Sequence, residues 1–484
     1  MGPSPPLSDV LPTLSYILFF EKLKLFSFDA AYNLYSVVLG SVGIGILYFM
    51  MKEIFNWRIA LFSSLILGFL PRYFGHLHNN MKDIPQAVFF MASLWMFYRL
   101  FKKPNITSLT IASISFAVAF NSKVNAVFIL IIAFIFLILI TINVILSASE
   151  GSHNLFVHIR ARFFGLRPQN DKRIIIILSY FLIAPIAAFL LWLPFWDNPI
   201  GKLLEARHSY TTSTTNMPIL YFGNIFYSGN NIPWHYPIGL LSVTTPSLVL
   251  FFFLIGLFGL IFDKKIAFEA KLFVLLWFLV PLARYLKPQM IVIDDIRHFM
   301  EVIFPFAAIA GIGVYKIYLI VSRISENIFP KINKLFISAC YLLFVICYLL
   351  FQIISYHPYQ TSYYNELIGG IKGASSKFDI EFWASSYKQA LKYLNNNASY
   401  EAKIAIPMAP DIAKLYLRKD LTKNLNQLNM AGVESKLYSQ SDYTVVLNRE
   451  SFFSWYGIYP YIQNRQPVYS LKLFDTPLVS IYKN

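Results

Sequence analysis

The sequence predicts an α-helical multispan membrane protein, with about ten transmembrane helices and a small C-terminal α/β domain outside the membrane. Three observations predict it. Hydrophobic residues make up 57% of the 484 and charged residues only 14%, with a mean hydropathy of +0.54. A soluble domain carries roughly 25% charged residues. Aromatics reach 18%, with 46 Phe and 31 Tyr, which suits lipid-facing helices with interfacial belts. The net charge of +16 resides in short loops between apolar runs, so it reads as a topology signal and not as a nucleic-acid partner. The same composition excludes a disordered chain, collagen and a disulfide scaffold. The two cysteines, Cys340 and Cys347, fall on one helical face too far apart to bond.

The elements follow in order. Residues 11–27 are apolar but interrupted by Glu21, Lys22 and Lys24, which predicts an interfacial helix and not a span. No basic n-region precedes GPSPPLSD, so no cleavable signal peptide is expected. Stretches long enough to cross ~30 Å of hydrocarbon lie at 34–52, 123–147, 174–194, 238–262, 300–321 and 335–355. Shorter ones at 57–71, 85–101, 106–121 and 270–286 are bounded by charge or proline.

Alternate loops differ in Lys and Arg. The richer set includes Lys52 and Arg58; Arg99, Lys102 and Lys103; Arg160, Arg162, Arg167, Lys172 and Arg173; Lys264 and Lys265; and Arg323, Lys331 and Lys334. This set belongs in the cytoplasm. The other loops, at 72–84, 195–237 and 287–299, then face outward together with everything after about residue 356. The predicted division is an outward interfacial segment at 1–33, a membrane domain at 34–355 and an extracytoplasmic domain at 356–484. In that last domain, helices are expected near 384–397 and 410–417 and strands near 403–407, 442–448, 467–473 and 478–483. Asp475, Thr476 and Pro477 would turn the final hairpin.

Three constellations carry chemistry. PRYFGHLHNNMKDIP, residues 71–85, packs Arg72, His76, His78, Asn79, Asn80, Lys82 and Asp83 at a membrane boundary. It reads either as a solvated loop with snorkelling cations or as a carboxylate beside cations suited to general-base work next to an anionic leaving group. His76, His78 and Asp83 are also conceivable metal ligands, but spacing pins only the two histidines together and not the third. VIDDIRHFMEVIFP, residues 292–305, sets Asp294, Asp295, Arg297 and His298 at the mouth of a span with Glu301 one turn inside. Ionisable groups there are costly unless paired or functional, and Arg297 suits a fork to phosphate oxygens. YHPYQTSYYNELIGGIKGA, residues 356–374, reads as an aromatic belt in which Asn365 and Glu366 offer hydrogen bonds. The 195–237 loop adds Trp196, Asp197, His208, Trp234, His235 and Tyr236, an interfacial lid or a sugar or headgroup surface. Walker, G-x-G-x-x-G, G-x-S-x-G and H-E-x-x-H signatures are missing.

Five segments in consistent order resemble prokaryotic relatives of the protein O-mannosyltransferases, polyprenyl-phosphate-sugar-dependent glycosyltransferases of the GT-C superfamily. They are PRYFGHLHNNMKDIP, NSKVNAVF at 121–128, IPWHYPIGLLSVTTPSLVL at 232–250, DDIRHFMEVIFP, and YHPYQTSYYNELIGGIKGA with FDIEFWASSYKQALKYL behind it. The resemblance implies an integral membrane enzyme of the plasma membrane with its active site facing outward. Such an enzyme passes a sugar, with inversion, from a polyprenyl or dolichyl phosphate to an acceptor hydroxyl on a protein, glycan or lipid. By resemblance Asp83 matches the acidic residue of the family's second outward loop and is the catalytic candidate. Arg72, Lys82, Arg297 and His298 are the donor or phosphate contacts, and His76, Asn79, Tyr364 and Asn365 the substrate-binding residues. No metal ligand set is forced, although outward carboxylates can hold a divalent cation.

Members usually begin with a span and an outward loop bearing an acidic motif. Here the chain opens at SPPLSDV, residues 4–10, with Asp9 the nearby carboxylate; the expectation is an N-terminally truncated chain, or else an inactive or altered member. Two other functions compete. A lipid-linked sugar transporter or flippase should show internal repeats and broken midplane helices, and the sequence shows no such symmetry. A non-catalytic partner in cell-envelope assembly would use the C-terminal domain as its binding module.

Overall fold

The computed structural model describes residues 5–149, 170–192, 196–198, 200–202, 204–205, 208, 215–328, 334–423, 425–426, 438 and 440–484. Of the basic loop residues named above, Arg160, Arg162, Arg167 and Lys331 lie outside the described residues.

The chain opens with α1 (Leu7–Tyr16), which continues as a wider π turn over Ile17–Lys22. Its residues Val10, Leu14 and Leu18 stay exposed. The first long helix, α2 (Phe28–Ile54), starts six residues before the sequence expectation. Asp29 makes the early start tolerable, because its carboxylate accepts from Ser27, from Lys388 Nζ at 2.9 Å and from the Tyr416 hydroxyl at 3.2 Å. Asn56 then caps α3 (Trp57–Phe69) by accepting from the N–H of Arg58 and Ile59, satisfying two otherwise orphaned donors.

The 72–84 segment departs from the solvated-loop reading, one of the two that its residues allow. It forms a nine-residue helix, α4 (Pro71–Asn79), opened by proline at its first position, and Arg72, Tyr73, His76 and Leu77 are buried. Gly75 is required there: a Cβ would lie 2.7 Å from the backbone nitrogen of Thr361. Then follow α5 (Asp83–Lys102), α6 (Ile106–Ser122), α7 (Val127–Ser149), α8 (Asn170–Leu191), α9 (Tyr236–Thr244), α10 (Ser247–Phe262), α11 (Phe268–Ala283), α12 (Ile303–Ile328) and α13 (Lys334–Ser355).

Among the described residues, each stretch expected to span is helical apart from residues at its ends, with 238–262 divided at Thr245-Pro246 into α9 and α10. Six helices among the described residues are long and apolar enough to cross a membrane, and the protein is an integral membrane protein of α-helical, multispan type. Ion pairs show which helix ends lie together. At one end Lys102 meets Glu269 at 3.1 Å and Arg99 meets Glu53 at 3.5 Å. At the other, Asp83 meets both Lys123 and Arg297.

The C-terminal region carries a five-stranded sheet of order β4-β3-β5-β7-β6. An earlier two-stranded hairpin, β1 (Pro218–Tyr221) and β2 (Asn224–Tyr227), forms a separate sheet and makes an isolated bridge from Tyr221 to Phe378. In the sheet, β3 (Ile404–Ala405) runs parallel to β4 (Leu425–Asn426) and to β5 (Tyr443–Leu447). Next, β6 (Tyr469–Leu473) and β7 (Thr476–Lys483) form the final hairpin. Its turn is Phe474-Asp475, not the expected Asp475–Pro477. Both turn residues have positive φ, 46° and 65°, the twist that lets a two-residue turn match two strands. Thr476 already pairs with Leu473, and Pro477 is accommodated opposite Lys472 beside a bulge.

Helices α10 and α12 meet through glycine. A Cβ on Gly256 would lie 1.8 Å from the Ile309 carbonyl oxygen, and one on Gly313 would lie 1.8 Å from that of Phe252. In hydrocarbon, close backbone approach supplies packing that the hydrophobic effect does not. Gly313→Val is expected to cost about 1–3 kcal/mol or more by forcing the helices apart. It should lower the thermal midpoint and the monodisperse yield in detergent, while Gly45→Ala, at a position with open space, leaves both unchanged. Equal behaviour of the two variants would remove the glycine contact as a packing determinant.

Candidate functional site

The polar groups gather at the helix ends nearest the C-terminal domain. Asp83 opens α5 and is 1% exposed. Its backbone N–H donates to Asn80 Oδ1 at 2.9 Å, and the Asn80 amide also meets His76 Nδ1 at 3.0 Å. The spacing His76–Asn80–Asp83 thus wires one face of α4 to the start of α5. Two cations close on the carboxylate: Lys123 Nζ stands 2.6 Å from Oδ1 and Arg297 Nε 3.1 Å from Oδ2. Lys123 reaches it because the backbone turns extended at that residue (φ −163°, ψ 137°) between α6 and a short 3-10 turn. A buried carboxylate is tolerated only when so paired.

Arg297 comes from a 3-10 turn, Asp295–Val302, that precedes α12. Before it Asp294 and Asp295 both adopt left-handed backbone, φ 53° and 64°, a conformation that Asp tolerates better than most residues. The kink sends the two carboxylates apart. Asp294 accepts from Arg297 Nη1 at 2.7 Å and Trp383 Nε1 at 3.2 Å, and pairs with Arg449 Nη2 at 2.8 Å. Asp294 is pulled below the ordinary carboxylate range: burial opposes the charge, and the Arg449 and Arg297 guanidinium groups overcome it. Asp295 instead takes Arg72 Nη1 at 2.6 Å.

The structure separates the residues that the sequence grouped. Arg72 lies buried under the rings of Tyr364 and Phe382, at 4.7 and 5.7 Å, and its Nε donates to the Tyr363 carbonyl at 3.0 Å. Lys82 faces solvent and pairs with Asp9 at 2.9 Å, both about half exposed; such a pair contributes little. His76 is fully buried, edge-on to Trp383. His78 is exposed and bonds the Phe74 carbonyl at 2.9 Å, so the two do not converge on a metal. Among the described residues, no three His, Cys, Asp or Glu side chains are grouped to hold an ion.

Asn79 donates to the Gly75 carbonyl and borders a groove with His78. Tyr364 donates to the Asp379 carbonyl at 2.9 Å. Asn365 clamps the α9–α10 break, donating to the carbonyls of Ser242 and Thr245 at 2.6 and 2.8 Å. His298 sits beside another buried pair, Arg284–Glu301 at 2.9 Å. The His298 carbonyl accepts from Tyr285 at 3.0 Å, and its Nε2 is buried with no partner among the described residues.

Sequence reasoning did not single out Lys123, Trp383 or Arg449. A lone lysine between two apolar runs marks Lys123 in hindsight. Trp383 and Arg449 arrive from the C-terminal domain, and no local pattern announces them. Glu381 orients Trp383 by accepting from its N–H at 3.0 Å and from the Ser385 hydroxyl at 2.9 Å.

A multispan membrane fold whose polar centre is a clasped carboxylate at a helix-end junction defines the class. Residues 5–153 match the family described as dolichyl-phosphate-mannose-protein mannosyltransferase. The stretch is just under a third of the chain and includes Arg72, His76, Asp83 and Lys123. The resemblance read from the sequence is thus met by a glycosyltransferase family over this segment. A comparison with curated proteins gives no match. Two solved structures are similar across nearly the whole chain. ArnT from Cupriavidus metallidurans bound to undecaprenyl phosphate is 11% identical, with a TM-score of 0.48, covering 99% of this chain and 87% of its own. The Archaeoglobus fulgidus oligosaccharyltransferase tethered with an acceptor peptide is 13% identical, also at 0.48, covering 99% and 66%.

Two predictions follow from the geometry. Arg72→Ala leaves Asp295 as a buried, unpaired charge, and such losses cost about 3–5 kcal/mol. Its folded fraction should collapse, whereas the double substitution Arg72→Met with Asp295→Leu should recover most of it by denaturant titration. A stable Arg72→Ala protein would return Arg72 to the ligand-contact role. His76 is held neutral, at about 3, because burial and the Arg72 and Arg297 cations disfavour its charge, against the partial help of Asp83. Its pKa is depressed below that of the unfolded chain, so its stabilisation is complete above ~6.5 and is lost as pH falls from there toward 3. Thermal midpoints of wild type should therefore fall more steeply than those of His76→Gln between those limits; parallel curves would contradict the assignment.

Proposed function

We propose that the chain is an inverting glycosyltransferase taking a sugar from a polyprenyl-phosphate-linked donor in the bilayer to an acceptor hydroxyl. The reaction takes place at the membrane face carrying the C-terminal domain. The observation that carries this reading is the Lys123–Asp83–Arg297 clasp, a buried base bracketed by two cations at the edge of hydrocarbon. The family match over residues 5–153 supports it, and the charge asymmetry of the basic loop set at the opposite helix ends supports an outward-facing site.

In the ligand-free clasp both cations are spent on Asp83. A donor phosphate competes for Lys123 and Arg297 and frees the carboxylate. The acceptor oxygen then attacks the anomeric carbon from the face opposite the phosphate. The bond from that carbon to the phosphate oxygen breaks, and the electron pair leaves with the lipid phosphate. Asp83 takes the acceptor proton. Negative charge grows on the phosphate during this step, so the two cations bind the transition state more tightly than the ground state. Asp294 keeps Arg297 in place, and neutral His76 offers an uncharged hydrogen-bonding edge beside it. Residues 356–484 are the extracytoplasmic unit that closes the site.

The test is transfer of labelled sugar from a panel of polyprenyl-phosphate donors by membranes of the chain, alone and joined to any contiguous upstream coding sequence. Asp83→Asn should insert normally and lose about 10²–10⁴-fold in rate, while Arg297→Ala should raise the donor KM. Retained transfer by Asp83→Asn would remove it from the chemistry. No transfer by either inserted form would overturn the reading.

A further inference from the structure

Two cavities outside the clasp adjoin one another. The outer, of about 590 Å³, lies on the C-terminal domain, and the inner, of about 500 Å³, lies between that domain and helices α2 and α4. They share Pro358, Ser385 and Lys388, and so form one groove. Its inner end is bordered by Gly75, His78 and Asn79. The next residue, Asn80, is buried and holds the Asp83 backbone, so the inner end of the groove lies on the helix that leads into the clasp.

The outer lining has a particular chemistry. Tyr393 and Tyr469 stack with ring centroids 4.8 Å apart and planes within 11°. Around them stand three amides, Gln389, Asn396 and Asn397, all exposed. Tyr359 donates to Gln389 Oε1 at 2.5 Å, which fixes that amide with its NH₂ outward. Asn397 spends its NH₂ on the Tyr393 carbonyl at 2.8 Å, leaving an acceptor. Lys388 at the junction is neutralised by Asp29, 2.9 Å away. Flat aromatic faces with neutral donors and acceptors match a sugar ring, which has apolar C–H faces and a rim of hydroxyls that both donate and accept. A strongly anionic ligand would find mainly Lys392.

We infer that this groove is an acceptor site for a glycan, with one sugar on the Tyr393–Tyr469 platform and the chain running past Asn79 toward Asp83. The inference rests on the transferase reading for what the glycan does, but not for its binding. A peptide is the competing occupant.

The test is saturation-transfer-difference NMR and calorimetry on the full chain in lipid nanodiscs, without donor. The probes are mannohexaose, chitohexaose and maltohexaose, against a Ser/Thr-rich peptide of similar length. At least one oligosaccharide should bind saturably, with transfer strongest at ring C–H protons. Asn396→Ala, at an exposed position, and Tyr393→Ala should each weaken it about tenfold, while Tyr393→Phe binds nearly as wild type. If Tyr393→Ala misfolds, Asn396→Ala and Gln389→Ala carry the test. Saturable binding of the peptide alone, no oligosaccharide binding, or binding indifferent to these variants would each overturn the proposal. A chain that binds oligosaccharide here yet transfers no sugar would sink the transferase reading and leave the groove standing.

Discussion

A carboxylate taken out of water at the edge of hydrocarbon must be matched by cations, and the architecture around Asp83 follows from that requirement. The penalty for burying one ionised group is several kcal/mol even after relaxation, so a single partner at the end of a flexible side chain is a poor solution. Here two partners come from separate helix ends, Lys123 between α6 and α7 and Arg297 before α12. Each needs its own backbone irregularity, the extended break at Lys123 and the left-handed pair at Asp294-Asp295. Both irregularities sit at the same end of the bundle, where a regular helix would have left the cations out of reach.

The same accounting ties the membrane helices to the C-terminal domain. Asp294 serves Arg297 on one side and Arg449 and Trp383 on the other, so it joins the clasp to a domain that begins after α13. Arg72 and Asp295 pair within the membrane part, and the region after α13 covers them with the rings of Tyr364 and Phe382. Removing one partner from such a pair strands a charge, whereas exchanging both for apolar groups need not. The junction is therefore specified by pairs, and its geometry is stiffer than the number of contacts alone suggests.

Elsewhere the bundle relies on shape. The glycine contact between α10 and α12 and the approach of Gly75 to Thr361 bring backbones together where lipid offers no competing hydrophobic gain. The first seats α12 and hence Arg297, and the second seats α4 and hence His76 and Asn80. Packing far from the polar centre in this way sets distances within it, and the groove along α4 inherits the same wall.

The sequence by itself determined the fold class, the helical rods and the hairpin at the C-terminus, because hydropathy runs, loop charge and turn residues are local properties. It also placed the Arg297 segment among the polar candidates, since charges at a span mouth are rarely idle. It misjudged the turn at Phe474-Asp475 and the helix at Pro71–Asn79, where burial by distant residues overrides local polarity. It had no means to pair Arg72 with Asp295, to turn Lys82 outward to Asp9, or to bring Lys123, Trp383 and Arg449 to one centre. Those outcomes depend on residues up to several hundred positions apart, and only close packing of the helix ends sets which charges are desolvated together and must therefore be paired.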